Sequence, residues 1–343
     1  NGIVLGTPGS GKSFFAKREM ANAFFATNDH ILILDPENEY TALTEQLHGQ
    51  TIYLAPDSHS YLNPMDLDLS TDVGESPMLM QADFLLSQCE LMMASYGNPL
   101  MPIEKSLIDR CISLVYRDYL KNPRPENMPV LGDLYQCLRE QHNSRADDLA
   151  TAMEIYVTGS LSYLNHRTNV DLNNRMVCYN ISKLGQGLKK LVMSNVQKHI
   201  WQRTAVNRYA GITTRIFLDE FHLLLKEPQT AAYTAEIYKR FRKWNGIPTS
   251  LTQNVKDLLD SSEIENILEN SDFVLMLNQG ASDRNILAQR LGISPQELSH
   301  VTNSSEGEGL LFFGDKIIPF EDKFPRDTQL YRVMTTKPSD LAA

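Results

Sequence analysis

Cysteine is scarce in this chain. Among 343 residues there are four, Cys89, Cys111, Cys137 and Cys178, with no C-x-x-C spacing and no histidine pairing nearby. That excludes a disulfide framework and a zinc site, and reads as reduced, mostly buried thiols of a cytosolic protein. Long apolar runs are missing too: nothing approaches the roughly 18 residues of a membrane span, and no signal peptide is visible. Positive charge is in deficit, with 32 Lys and Arg against 42 Asp and Glu and a net charge of −10. This argues against a broad basic footprint for nucleic acid, although a local basic pore lining is compatible. There are no internal repeats and no low-complexity tracts. The remainder is ordinary for a globular protein, with 42% apolar and 22% charged residues, and the length suits about two domains. The chain opens directly on a strand, which suggests a fragment trimmed of an N-terminal domain.

What is present begins at once. Gly6-Thr7-Pro8-Gly9-Ser10-Gly11-Lys12-Ser13 fits G-x-x-x-x-G-K-[ST], the phosphate-cradling loop of nucleoside triphosphatases. Its context fits as well: Gly2 to Leu5 reads as a buried strand and Phe14 to Ala26 as a helix. Backbone N–H groups and the helix's positive end would then surround a polyphosphate. Thr7, Pro8, Gly9, Ser10, Gly11, Lys12, Ser13 and Phe14 are the expected nucleotide-binding set for ATP or GTP. Lys12 would neutralise β- and γ-oxygens, and Ser13 would offer its hydroxyl to Mg²⁺.

The rest of the chain alternates. Ile31 to Asp35 and Thr51 to Ala55 are strand-like runs with a helical stretch between them, which indicates a parallel sheet covered on both faces. Asp66 to Pro77 is polar, acidic and linker-like. Met78 to about Tyr163 reads helical throughout, with Ile103, Leu107, Ile108, Cys111, Ile112 and Val115 at helical spacing, and Pro123, Pro125 and Pro129 separate helices. Strand signals return at Met176 to Ile181, Arg215 to Glu220, Pro248 to Thr252 and Phe273 to Leu277. A hairpin follows, Leu310 to Phe313 and Ile317 to Phe320, joined by Gly314-Asp315-Lys316. The expected fold is α/β, a P-loop core with a mostly parallel sheet and an inserted all-helical domain. The boundaries are 1–70 and 169–335 for the core, 71–168 for the insertion and 336–343 for a flexible tail.

A phosphate loop needs a second, acidic strand end. Arg215-Ile216-Phe217-Leu218-Asp219-Glu220 supplies it: Asp219 would hold the Mg²⁺ hydration shell and Glu220 would polarise the attacking water. Gln253, after the strand Pro248 to Thr252, would sense the γ-phosphate and water, unless it is simply a turn residue. Glu37 and Glu39 close the second strand, as water-orienting groups or as a solvated acidic turn. Arg242 is the leading candidate for a trans-acting arginine finger, with Arg240, Lys243, Arg284 and Arg290 behind it. The alternative for all of these is cations at helix ends or on solvated faces. Lys189, Lys190 and Lys198 form a basic strip, read as a solvated face ahead of nucleic-acid contact. His222, after the acidic pair, reads as positional, because no cysteine or second histidine sits at a metal-ligand spacing.

As a set, these residues resemble a known family. The series runs from Gly6–Ser13 through Leu34-Asp35-Pro36 with Glu39-Tyr40, Leu62-Asn63-Pro64 and Leu218-Asp219-Glu220. It continues with Arg242-Lys243-x-Asn245-Gly246, Thr252-Gln253-Asn254 and Ser271-Asp272-Phe273 leading to Leu277-Asn278-Gln279. It is similar to the C-terminal ATPase domain of the large conjugation ATPases of type IV secretion systems, the conjugative-transposon branch in particular, over nearly the whole chain. The resemblance implies a RecA-like motor with a helical insertion. It implies ATP in preference to GTP, with Mg²⁺, and partners among conjugation components at the inner membrane. A homo-oligomer, commonly a hexamer, peripheral to the cytoplasmic face of that membrane, is also implied. DNA contact is left open. Two other readings remain: a DNA-translocating motor of the coupling-protein or chromosome-segregation type, and a nucleotide-dependent scaffold with little turnover.

Overall fold

The short aliphatic runs assemble into one nine-stranded sheet in the computed structural model, which describes residues 1–69, 76–93, 99–253, 255, 258 and 263–337. The strands are β1 (Gly2–Leu5), β2 (His30–Asp35), β3 (Gln50–Tyr53), β4 (Met176–Asn180), β5 (Thr214–Leu218), β6 (Gly246–Thr252), β7 (Phe273–Met276), β8 (Glu308–Phe313) and β9 (Lys316–Glu321). Their spatial order is β3-β4-β2-β5-β6-β1-β7-β8-β9. Strand β1 runs parallel to β6 on one side and β7 on the other. Strands β4, β2, β5 and β6 continue in parallel register. Strand β8 pairs antiparallel to β7, and β9 pairs antiparallel to β8 in a hairpin. Every residue of β1 and β4 is buried, as continuous apolar runs in a parallel sheet require. Parallel strands finish on one edge, so β1, β2, β5 and β6 deliver the segments after Leu5, Asp35, Leu218 and Thr252 to the same side of the molecule.

Helices α1 (Lys12–Ala26) and α2 (Thr41–Gln46) lie between the first strands. They are followed by α3 (Pro77–Met93), α4 (Pro102–Val115), α5 (Arg117–Lys121), α6 (Leu131–Arg139), α7 (Ser144–Val157) and α8 (Gln186–Tyr209). Then come α9 (Pro228–Phe241), α10 (Ile264–Glu269), α11 (Ala281–Leu291), α12 (Pro295–Leu298) and α13 (Gln329–Met334).

The chain forms two compact units. The first comprises residues 1–51, 173–182 and 206–343, and the second residues 52–172 and 183–205. In the first, Val4, Ala16, Met20, Ile31, Ile33, Phe217, Leu251 and Leu275 share one core, which fixes α1 against the sheet. In the second, α3 to α7 are joined by most of α8, and the unit extends beyond the expected 71–168. The reason is a set of polar anchors on the Leu62-Asn63-Pro64 segment. Lys198 Nζ donates to the carbonyls of Pro64 at 2.9 Å and Asp66 at 2.6 Å, and Asn195 donates to Leu62 at 2.9 Å. Lys198 is thus buried, and burial lowers its pKa to about 7, which corrects the expectation of a solvated basic face at this position. Lys189 and Lys190 are half-buried.

Among the described residues no helix is long and apolar enough to cross a membrane. The four cysteines are free, and three of them are buried. Residues 70–75 of the expected linker, Asn254 and residues 338–343 of the expected tail lie outside the described residues.

Candidate functional site

The loop after β1 closes on itself before it meets anything else. Thr7 N–H and Oγ1 donate to the Asn278 carbonyl at 2.9 and 3.1 Å, and Ser10 Oγ donates to the Thr7 carbonyl at 2.7 Å. Thr7 and Ser10 therefore shape the loop and do not line the cavity beside it. Gly9 and Gly11 have φ of +74° and +100°, a left-handed backbone that glycine adopts without cost. Gly11 is the N-cap of α1, so the first N–H groups of that helix face outward beside Lys12 and Ser13. No neighbouring atom lies within 4 Å of where a Cβ on Gly9 would stand, which leaves an open cradle over the loop.

Lys12 is 8% exposed and its Nζ lies 3.3 Å from the Thr7 carbonyl. Burial lowers its pKa, against the opposing pull of Glu220, Asp219 and Glu39. Those carboxylates arrive from β5 and from the turn after β2. Asp219 is almost wholly buried, and burial raises its pKa to about 7; the neighbouring Glu39, Glu220 and Asp35 push the same way, while a 2.9 Å bond from the Glu220 N–H resists. Glu220 has φ +44° at the N-cap of the short 3-10 turn Phe221–Leu225. A non-glycine residue held there costs about 1–3 kcal/mol, and such strain clusters at functional sites.

The second acidic turn is organised by Asp35. Its carboxylate accepts the N–H groups of Glu37 at 3.3 Å, Glu39 at 3.0 Å and Tyr40 at 3.0 Å. Glu39 Oε2 is buried without a hydrogen-bond partner, and both Glu37 and Glu39 line the cavity.

That cavity, of about 810 Å³, is bordered by Pro8, Gly9, Gly11, Lys12 and Ser13, with Asp219, Glu220 and Gln253 opposite. A further wall comes from the C-terminal segment, with Ser305 to Gly307, Phe324 and Tyr331, which carries no motif. Phe14, which lines the cavity, meets Phe324 edge-on at 5.7 Å and Tyr331 at a tilt at 5.4 Å. Thr336 and Lys337, expected in a flexible tail, line the same cavity, and Lys337 pairs with Glu306 at 2.5 Å.

The candidate finger stands elsewhere. Arg242 follows α9 and lies 3.9 Å from Asp272, just before β7, at the edge of the sheet opposite the loop. None of Arg240, Lys243, Arg284 and Arg290 lines the cavity either; among the described residues its basic lining, besides Lys12, is Lys323, Arg326 and Lys337. His222, read from the sequence as positional and not a metal ligand, sits beside the site with Nδ1 at 3.1 Å from both Glu220 Oε2 and Thr252 Oγ1. Its position two residues after the acidic pair was the only available signal.

The residue set fits a metal-bound triphosphate. An open glycine cradle with a buried lysine suits the phosphates, and a buried carboxyl beside further carboxylates suits a metal cation. The profile of the TraG P-loop domain matches residues 1–306. The chain belongs to the TraG P-loop domain family. The match agrees with the resemblance to conjugation ATPases and with a P-loop nucleoside triphosphatase fold. Among solved structures, this TraG-type chain superposes on VirB4 of Thermoanaerobacter pseudethanolicus with a TM-score of 0.84 at 23% identity, over 99% of this chain and 90% of that one. The unbound bacterial conjugative coupling protein TrwB gives 0.61 at 13%, over 94% and 85%. TrwB in complex with ADP and Mg²⁺ gives 0.63 at 12%, over 96% and 87%. At such identities the likeness is one of fold. No curated protein sequence matches the chain.

Proposed function

We propose that this chain is an ATPase motor domain, hydrolysing ATP to energise assembly of, or substrate export through, a conjugative type IV secretion apparatus. One observation carries the reading: Lys12 on the glycine loop and the pair Asp219-Glu220 on a distant strand line a single cavity. Family membership and the VirB4-like fold support it.

In this reading the N–H groups of Gly9 to Ser13 hold the phosphates, and Lys12 balances their charge as a point cation. Ser13 and Asp219 would hold Mg²⁺, which would supply positive charge against the charge building on the γ-phosphate. Glu220 accepts a proton from water aligned with the γ-phosphorus. Gln253, directly after β6, contacts the γ-phosphate and the water and passes the nucleotide state outward. Arg242, at the far edge of the sheet, serves a neighbouring subunit's nucleotide, so the active form is a homo-oligomer, a hexamer by family resemblance. The first compact unit is the motor core and the second its helical insertion. Partners are other conjugation components at the cytoplasmic face of the inner membrane.

The test is Mg²⁺-dependent ATP hydrolysis by the chain and by its Glu220→Gln variant. Turnover that the substitution removes while nucleotide still binds supports the motor. Negligible turnover in both supports the scaffold. The TrwB-like fold keeps a DNA-translocating motor in view; the charge of −10 weighs against it, and we expect duplex DNA to leave turnover unchanged.

A further inference from the structure

His222 lies where one ring nitrogen meets two oxygens. Its Nδ1 is 3.1 Å from Thr252 Oγ1 in hydrogen-bonding geometry. The same atom is 3.1 Å from Glu220 Oε2, which is buried and has no aligned hydrogen bond. A carboxylate oxygen only accepts, so a hydrogen bond from this nitrogen to Oε2 takes the tautomer with the proton on Nδ1, which can also donate to the Thr252 hydroxyl. One N–H cannot satisfy two acceptors fully, and a small rotation of the ring transfers the bond from one to the other. The backbone makes this possible: the left-handed Glu220 turns the chain so that His222 returns beneath its carboxylate. Leu218 pairs with Ser250 across β5 and β6, which brings Thr252 level with the pair. Thr252 directly precedes Gln253, which lines the cavity.

We propose that His222 is a positioning residue that alternates between Glu220 and Thr252, fixing the carboxylate of the proposed base and linking its position to the strand end that carries Gln253. The proposal rests on the assignment of Glu220 above. When Glu220 turns to its water, the Nδ1–H stays with Thr252. When Glu220 withdraws, the N–H holds Oε2 and releases the hydroxyl. No bond to the nucleotide is involved, so nucleotide affinity is not at stake.

The experiment compares steady-state ATP hydrolysis and ATP affinity of the full chain with those of His222→Leu, His222→Asn, Thr252→Val and Glu220→Gln. Loss of a hydrogen bond to a charged group lowers kcat in His222→Leu about tenfold to a hundredfold, with KM and affinity unchanged. His222→Asn, whose amide N–H falls near Nδ1, restores most of it, and Thr252→Val lowers kcat about threefold to tenfold. The imidazole ¹⁵N spectrum gives a readout independent of turnover: the Nδ1–H signal of His222 shifts in both Glu220→Gln and Thr252→Val. A kcat within twofold of the parent in both His222→Leu and Thr252→Val overturns the proposal. So does a fall that follows lost affinity and is not restored by Asn, or a His222 signal indifferent to both partners. If Glu220→Gln itself hydrolyses at the parent rate, the assignment of Glu220 fails and this inference with it; if only the His222 arms fail, that assignment stands.

Discussion

The ammonium of Lys17 donates to the main-chain carbonyl of Met334 at 3.0 Å, joining the helix that starts at the phosphate loop to the C-terminal helix. Lys17 is 1% exposed; burial lowers its pKa to about 8, against the pull of Glu39, Asp35 and Asp219. Lys17→Ala leaves that carbonyl unsatisfied and the acidic cluster uncompensated, at a cost of about 3 kcal/mol. Chemical denaturation measures the loss. Limited proteolysis around residues 329–334 should accelerate in the variant, and unchanged cleavage there would mean that α13 is held by its apolar contacts alone.

Asp219 gives a pH dependence with a definite sign. Its folded-state pKa is raised from 3.8 to about 7, so the ligand-free folded chain keeps a proton that the unfolded chain has released. Folding then takes up a proton in the window between about pH 4 and pH 7, and this group's contribution to stability falls as pH rises through it. Asp219→Asn should raise the melting temperature of the ligand-free chain at about pH 8 and change it little at about pH 4. Thermal scans at the two values check this; a shift that is equal at both contradicts it.

Lys12→Ala removes the buried cation beside the glycine loop. ATP affinity should fall by at least about a hundredfold, since a charge-assisted contact to phosphate in a buried site is worth roughly 3 kcal/mol. Calorimetric titration reads it directly. Unchanged affinity would place the nucleotide elsewhere.

Arg242 is 72% exposed in its side chain and far from its own cavity edge. Arg242→Ala should leave ATP affinity of the isolated chain unchanged, while turnover of the parent rises with protein concentration and the variant loses at least about tenfold at high concentration. Sedimentation alongside the activity series separates assembly from chemistry. A specific activity that stays flat from monomer to oligomer removes the trans role.

Much of the core was legible because the relevant patterns are local. Strand β1, the glycine loop and α1 are contiguous, so one motif fixes the geometry of all three. The run into Asp219-Glu220 is likewise local, and a parallel sheet does the rest by sending β1 and β5 to one edge. What was hidden depends on distance. The Phe324 and Tyr331 wall follows from packing on Phe14, three hundred residues earlier and with no periodic signature. Lys198 looked solvated because its helical face holds other lysines, whereas its ammonium finds carbonyls of the Pro64 segment. Arg242 was readable as a cation at a helix end, but sequence order does not say which edge of the sheet that end occupies. His222 carries no metal-ligand spacing, and only the left-handed backbone of Glu220 reveals its partners.

The most direct test of the account is the magnesium dependence of ATP affinity in the parent chain and in Asp219→Asn, measured by calorimetry over a range of free Mg²⁺. If the glycine loop and Asp219 close around one metal-bound triphosphate, affinity in the parent tightens as Mg²⁺ rises, and most of that gain disappears in the variant. Identical magnesium dependence in the two proteins would show that Asp219 and the phosphate loop do not serve a common ligand.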